Sequence, residues 1–437
     1  MIPSRLLVTL LAFACGLPTL AGEPLKPRFS DFMGINGHYH FRPELYRPVA
    51  THVRNYHPMT WDLPGDTAEP TVFPRTRQRV DGTLVEWDKV YGAWKAAGFR
   101  IDASIQFEFI KPGAWNDPAR DAEAYGRAFA QAFGPSSPLA LVEAAEIGNE
   151  PAPYSTEQYR TVFEAMARGL RAGDPKLKIV TAAVAAQSPD EYSKPITSLR
   201  GLESFYDVLN VHTYSMIEGW PTWRRVHPEH AGIPYLRVID EIAAWRDAHA
   251  PGKAIWVTEF GYDASTKPTP ATGDFSKWVS STETEQAQWL VRSFLLFAAL
   301  PVDRAYVYYY NDSDEAMFHA SSGITRNFTP KPAYRALAHL RHTLGDHRFS
   351  RVVTARPDDL YVYEFVHADD AAGRIWVLWS PTGSQRTASQ TLELPGRPLR
   401  AELMPLADGP AQTVPFETKG KTMTLNVGES PVFIKME

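Results

Sequence analysis

Residues 146–151 read Glu146-Ile147-Gly148-Asn149-Glu150-Pro151, and residues 256–261 read Trp256-Val257-Thr258-Glu259-Phe260-Gly261. Each is a short apolar run of β type that ends on a glutamate and is then broken by proline or glycine. Similar runs lie outward from these two, at 32–36, 52–57, 100–107, 144–149, 178–183, 207–212, 254–259 and 304–310. Amphipathic stretches separate them, and such alternation argues for parallel strands joined by crossover helices. Ser155 with Gln158 and Thr282 with Glu285 have capping-box spacing, so each opens a predicted helix. Eight runs of this kind predict a complete (β/α)8 TIM barrel over residues 22–345.

After Gly345 the texture changes. Leu360-Tyr361-Val362-Tyr363-Glu364-Phe365 and Arg374-Ile375-Trp376-Val377-Leu378-Trp379 are strand-like runs bounded by Gly, Asp and Pro turns. They predict a C-terminal antiparallel β-sandwich domain over 346–437. Two long loops, 63–82 and 220–234, are expected to shape the mouth of the barrel.

The first 21 residues read as a signal peptide: Arg5, an apolar stretch from 6 to 14, then Thr19-Leu20-Ala21 as a cleavage site. The expected location is therefore secreted or periplasmic. Cys15, the only cysteine of the 437 residues, falls inside that leader, so no disulfide is expected after cleavage. No later stretch is long and apolar enough for a membrane span. A formal charge of -5 without basic runs argues against a nucleic-acid partner. The 12 Trp and 19 Tyr supply flat faces suited to sugar rings. A monomer with a poly- or oligosaccharide partner and no cofactor is the expectation.

Reactive groups of such a barrel gather at the C-terminal ends of its strands. Glu150 and Glu259, three βα units apart, then face each other across the mouth. Two carboxyl groups about 5–5.5 Å apart suit double displacement at an anomeric carbon, whereas a wider gap suits inversion. Asn149 is placed for a sugar 2-hydroxyl. Tyr214 and Arg54 are placed to keep Glu259 anionic, Arg54 having a structural ion pair as its other reading. His212 is expected to orient the site, and Glu146 to be a strand residue satisfied by a neighbour. Gln106 and Glu108 should point toward the mouth.

Asn149-Glu150-Pro151 on strand four, His212-Thr213-Tyr214 on strand six and Thr258-Glu259-Phe260-Gly261 on strand seven resemble glycoside hydrolase clan A across the barrel. The resemblance implies retaining hydrolysis with Glu150 as acid/base and Glu259 as nucleophile. Lys331-Pro332-Ala333-Tyr334 and the trailing β-domain are similar to family 39 secreted enzymes, while Glu146 to Pro151 resembles family 79 glucuronidases. Strand eight departs from the clan pattern: Tyr310-Asn311-Asp312 stands where many members carry Trp.

Other residues complete the expected site. His38 and Tyr310 are candidate sugar contacts, and His38 with His40 lacks the carboxylates a metal site would need. Among Trp61, Trp115, Trp220 and Trp223, some are expected to be sugar platforms, Trp61 first. Arg224, Arg225 and His227 are read as a solvated basic turn, with recognition of an anionic sugar as the alternative. The rival to an enzyme is a non-catalytic carbohydrate-binding or exopolysaccharide-associated barrel.

Overall fold

Val, Ile and Tyr recur in the eight runs, and these β-formers favour strands, which parallel sheets bury on both faces. The computed structural model describes residues 25–63, 77–78, 84–188, 190–370 and 372–437. The predicted leader with Cys15 and most of the 63–82 loop lie outside the described residues. The barrel strands are β1 Met33–Gly37, β2 His52–Pro58, β3 Arg100–Gln106, β4 Val142–Ile147, β5 Lys178–Ala185, β6 Val208–His212, β7 Ala254–Phe260 and β8 Arg304–Val307. Each pairs in parallel with the next, and β8 pairs with β1, Met33 opposite Ala305, so the sheet closes. Toward its floor the lumen is filled by Ala144, Val180, Val208, Trp256 and Tyr306. Gly34 makes room for one of these, since a Cβ there would lie 2.3 Å from the Tyr306 ring.

Among the described residues six α-helices longer than one turn cover the barrel: α1 Trp87–Ala96, α2 Pro118–Phe133, α3 Thr156–Gly173, α4 Arg237–His249, α5 Glu283–Ala299 and α6 Pro332–Leu344. Both predicted capping boxes are present, at the starts of α3 and α5. The regular alternation expected from sequence fails at two crossovers. After β1 there is a single turn, Pro43–Tyr46, and after β5 a 3-10 turn, Ile196–Leu199. Pro189 and Pro195 punctuate the second of these segments, and proline disfavours helix at the residue before it. Among the described residues no helix is long and apolar enough to cross a membrane.

Eight further strands follow α6: β9 His347–Arg356, β10 Leu360–His367, β11 Arg374–Trp379, β12 Ala388–Glu393, β13 Pro398–Leu403, β14 Phe416–Lys419, β15 Thr422–Val427 and β16 Val432–Met436. They form two antiparallel sheets, ordered β9-β10-β11-β16-β13 and β12-β15-β14. Alternation along β10 and β11 explains how the larger sheet serves two cores. Leu360, Val362, Trp376 and Leu378 face Met423 and Leu425 of the smaller sheet. Phe365, Ile375, Val377 and Trp379 join the core of the barrel. Helix α5 is accordingly buried almost all round. Its Arg292 ties the two units together, donating to Glu229 of the loop after β6 and, at 2.6 Å, to Glu429 of the sandwich.

Candidate active site

Glu150 and Glu259 reach the mouth by different local devices. Strand β4 stops at Ile147, and Gly148 turns the chain outward with φ +83, a conformation that favours glycine. A Cβ at Gly148 would also lie 2.7 Å from the Phe107 ring. Beyond the turn, the backbone N–H groups of Asn149 and Glu150 donate to Glu108 Oε1 at 2.9 and 3.2 Å. Glu259 is still inside β7, where an irregularity after Val257 shifts the register and sets Glu259 opposite His212 of β6. Such bulges re-aim side chains. One carboxylate oxygen of Glu150, one of Glu259 and one ring nitrogen of His212 all lie within 4.8 Å of one another.

Arg54, 1% exposed, is the hub beneath the pair. Its guanidinium grips Glu146 in a bidentate pair (Nε–Oε2 2.8 Å, Nη2–Oε1 2.6 Å). The same group donates to Glu259 Oε1 at 3.0 Å, Asn149 Oδ1 at 2.7 Å and Asn36 Oδ1 at 2.9 Å. Arg54 thus pairs with Glu146 within the barrel and with Glu259 at the mouth, and Glu146 also accepts from Ser104 at 2.9 Å. Tyr214 donates to Glu259 Oε2 at 2.8 Å, as expected, and Tyr56 donates to Oε1 at 2.7 Å. His212 places Nδ1 2.9 Å from Glu150 Oε1 and Nε2 3.0 Å from Thr258 Oγ1.

These contacts set the charges. Burial alone pushes the Glu259 carboxyl up, but the neighbouring His212 and Arg54 and the hydroxyls of Tyr56 and Tyr214 outweigh it and bring it down to about 2. Burial disfavours the His212 cation, yet Glu259 and Glu150 together raise its pKa above the ordinary value. Its two ring nitrogens face Glu150 and Thr258, so the ring bridges β4 and β7. Tyr56 and Tyr214, buried beside an anion, have pKa values pushed far up and remain donors.

Glu150, His212 and Glu259 are also close enough to hold a metal ion. Both oxygens of Glu259 already accept hydrogen bonds, one of them from a guanidinium, so a cation there would compete with Arg54. The donor set fits a charge-tuned carboxylate better than a chelate.

The other expected residues fall into two groups. His38, Tyr39 and Trp61 form an aromatic rim beyond β1 and β2, with His38 and Trp61 ring centroids 6.3 Å apart. Tyr310 joins that rim through its hydroxyl, 2.7 Å from His40 Nε2, and its ring packs against Phe41 and Tyr46. Trp220 is 72% exposed, whereas Trp115 is buried with Nε1 donating to Tyr154, so it offers no platform. The basic turn is not uniformly solvated. Arg224 is exposed, but Arg225 is buried over the Tyr214 and Phe318 rings, 4.7 Å from each centroid, and donates to Asp263. His227 is buried near Glu229.

Sequence reasoning missed Tyr56 and Tyr308. Tyr56 is two residues beyond Arg54 on the same strand, hence on the same face, and extending the alternation by one step finds it. Tyr308 was hidden because the eighth run was read as strand through residue 310. The strand ends at Val307, a cis Tyr308–Tyr309 peptide follows, and the Tyr308 ring sits 6.5 Å from that of Tyr214.

The sequence matches no known protein-family model and no curated protein. Solved structures do resemble the fold. A family 39 glycoside hydrolase from the gut symbiont Bacteroides cellulosilyticus WH2 superposes with a TM-score of 0.68 at 16% identity, covering 94% of this chain and 81% of that one. A glucosidase from Croceicoccus marinus gives 0.63 at 12% identity, over 94% and 97% of the two chains. A family 51 α-L-arabinofuranosidase from Bifidobacterium longum gives 0.59 at 12%, over 94% and 98%. What these proteins share with this chain is the barrel and the β-domain that follows it.

Proposed function

We propose that the protein is a retaining glycoside hydrolase that cleaves β-glycosidic bonds of an extracellular poly- or oligosaccharide. The observation that carries this reading is the approach of the Glu150 and Glu259 carboxylates to within 4.8 Å, with Glu259 held anionic and Glu150 bonded to His212. That spacing suits double displacement and leaves no room for the water an inverting pair needs between its carboxylates. The neighbours in fold are glycoside hydrolases by name, which supports the same reading.

In the first step a Glu259 oxygen attacks the anomeric carbon, the bond to the leaving oxygen breaks, and the proton of Glu150 goes to that oxygen. In the second, water attacks the same carbon and gives its proton to Glu150 as the bond to Glu259 breaks. Asn149, fixed by Arg54, presents its amide to the sugar beside the reacting carbon, where a 2-hydroxyl contact strengthens in the transition state. Export across the cytoplasmic membrane is part of the proposal and rests on the leader sequence.

The test is a panel of polysaccharides and aryl β-glycosides, with proton NMR of the first anomer formed. Retention is expected, and Glu259→Ala should lower kcat by about 10⁴-fold or more. An inverted first product, or a Glu259→Ala protein with most of its activity, would sink the assignment. Binding without any turnover across the panel would favour the non-catalytic carbohydrate-binding barrel.

A further inference from the structure

We infer that Glu108 is a positioning residue for the acid/base: its carboxylate, presented from the end of β3, fixes the Asn149–Glu150 peptide so that Glu150 meets the leaving oxygen. The inference rests on the reading of Glu150 given above. Glu150 lies beyond the last paired residue of β4, where one strand contact remains on the carbonyl side, Ala183 N of β5 donating to Asn149 O at 3.1 Å. On the N–H side a single oxygen, Glu108 Oε1, accepts from both Asn149 N and Glu150 N. Two N–H donors converging on one carboxyl oxygen form a directional clamp.

The surroundings keep both sides of the clamp rigid. Glu108 belongs to the 3-10 turn Phe107–Phe109, closed by Ile110 N donating to Phe107 O at 2.9 Å. The Tyr154 hydroxyl, from the segment after Glu150, donates to Ile110 O at 2.6 Å, and the Phe107 ring abuts both Gly148 and Tyr154. The other oxygen of Glu108 is buried and has no hydrogen-bond partner among the described residues. Burial pushes this carboxyl up to about 7 in spite of three backbone donors, its own N–H and those of Asn149 and Glu150. The acceptor oxygen holds the peptide that carries the acid, where displacement by about 1 Å costs on the order of 10²-fold in rate.

The experiment compares kcat/KM, which reports the step that cleaves the glycosidic bond, on two glycosides of the same sugar. One has a dinitrophenol leaving group that departs without a proton, and the other an alkyl leaving group that needs one. Glu108→Ala should lose about 10- to 100-fold on the alkyl glycoside and stay within about threefold on the dinitrophenyl glycoside. Glu108→Gln, which keeps an acceptor oxygen, should recover most of the loss. Glu108→Asp, which keeps the charge but withdraws it, should show the split if the alanine protein does not fold. Equal losses on both substrates, or no loss on either, overturn the inference. Glu150→Ala run alongside separates the two claims. If it shows no split, the acid/base reading fails. If it shows one and the Glu108 variants do not, only the role of Glu108 falls.

Discussion

Glu259 at the mouth and Asp102 toward the floor are both carboxylates buried inside one barrel, on β7 and β3, and their surroundings differ. Glu259 accepts from Arg54, Tyr56 and Tyr214, with His212 beside it, and its pKa falls to about 2. Asp102 accepts from the Tyr306 hydroxyl and meets Arg304 only at 3.5 Å. Burial pushes its carboxyl up to about 7, and the charges of Arg304 and Lys178 only partly oppose this. Burial does not decide whether a barrel carboxyl is an anion. The number and closeness of donors do, and the mouth supplies enough of them to keep Glu259 charged.

Removing the hub should break that contrast with the largest effect. Arg54→Met leaves Glu146 and Glu259 buried without their counter-charge, and deleting one partner of such a network costs about 3–5 kcal/mol. Denaturant unfolding should show that loss near neutral pH, together with loss of turnover. A cost below about 1 kcal/mol would mean that the two carboxylates are neutralised by something other than Arg54.

A gentler change sharpens the contrast. Tyr214→Phe removes one donor to ionised Glu259, and a hydrogen bond to a charged group is worth about 1.5–3 kcal/mol, or roughly 10- to 100-fold in kcat/KM. Losing a donor to the charged form raises the carboxyl pKa, so the acidic limb of the pH–rate profile should move to higher pH. A profile that keeps its acidic limb while activity falls would show that Tyr214 contacts the sugar rather than tuning Glu259.

Much of this contrast was legible in the sequence, at the mouth rather than the floor. Residues that end a run, such as Glu259 and Asn149, announce themselves because an apolar β-run finishing on a polar residue points to one end of the barrel. Tyr214 and Arg54 followed by counting from those ends. Asp102 and Tyr306 sit inside runs, where a polar residue reads the same whether it faces lumen or helix, and the pairing of β3 with β8 residues across the lumen has no local signature. The clamp from Glu108 was half visible: its place at the end of β3 pointed to the mouth, but that it would bind backbone N–H groups depends on Gly148 turning β4 toward it. The two shortened crossovers escaped because the helix expectation came from the rhythm of the other units.

The floor makes its own, smaller prediction. Asp102 has a folded pKa of about 7 against about 3.9 in an unfolded chain, so between roughly pH 4 and pH 7 the folded state holds more protons. Stability from this group is therefore full below the unfolded value and is lost as pH rises toward 7. Asp102→Asn removes the titration while keeping an acceptor for Tyr306. Whatever constant cost the Asn brings through altered packing or hydrogen bonding is the same at both ends of the pH range. The stability of the variant relative to the parent should thus improve by about 2–3 kcal/mol between pH 5 and pH 8. Paired urea melts at the two pH values read this directly, and a difference that stays flat would place Asp102 with Glu259 among the carboxylates held as anions.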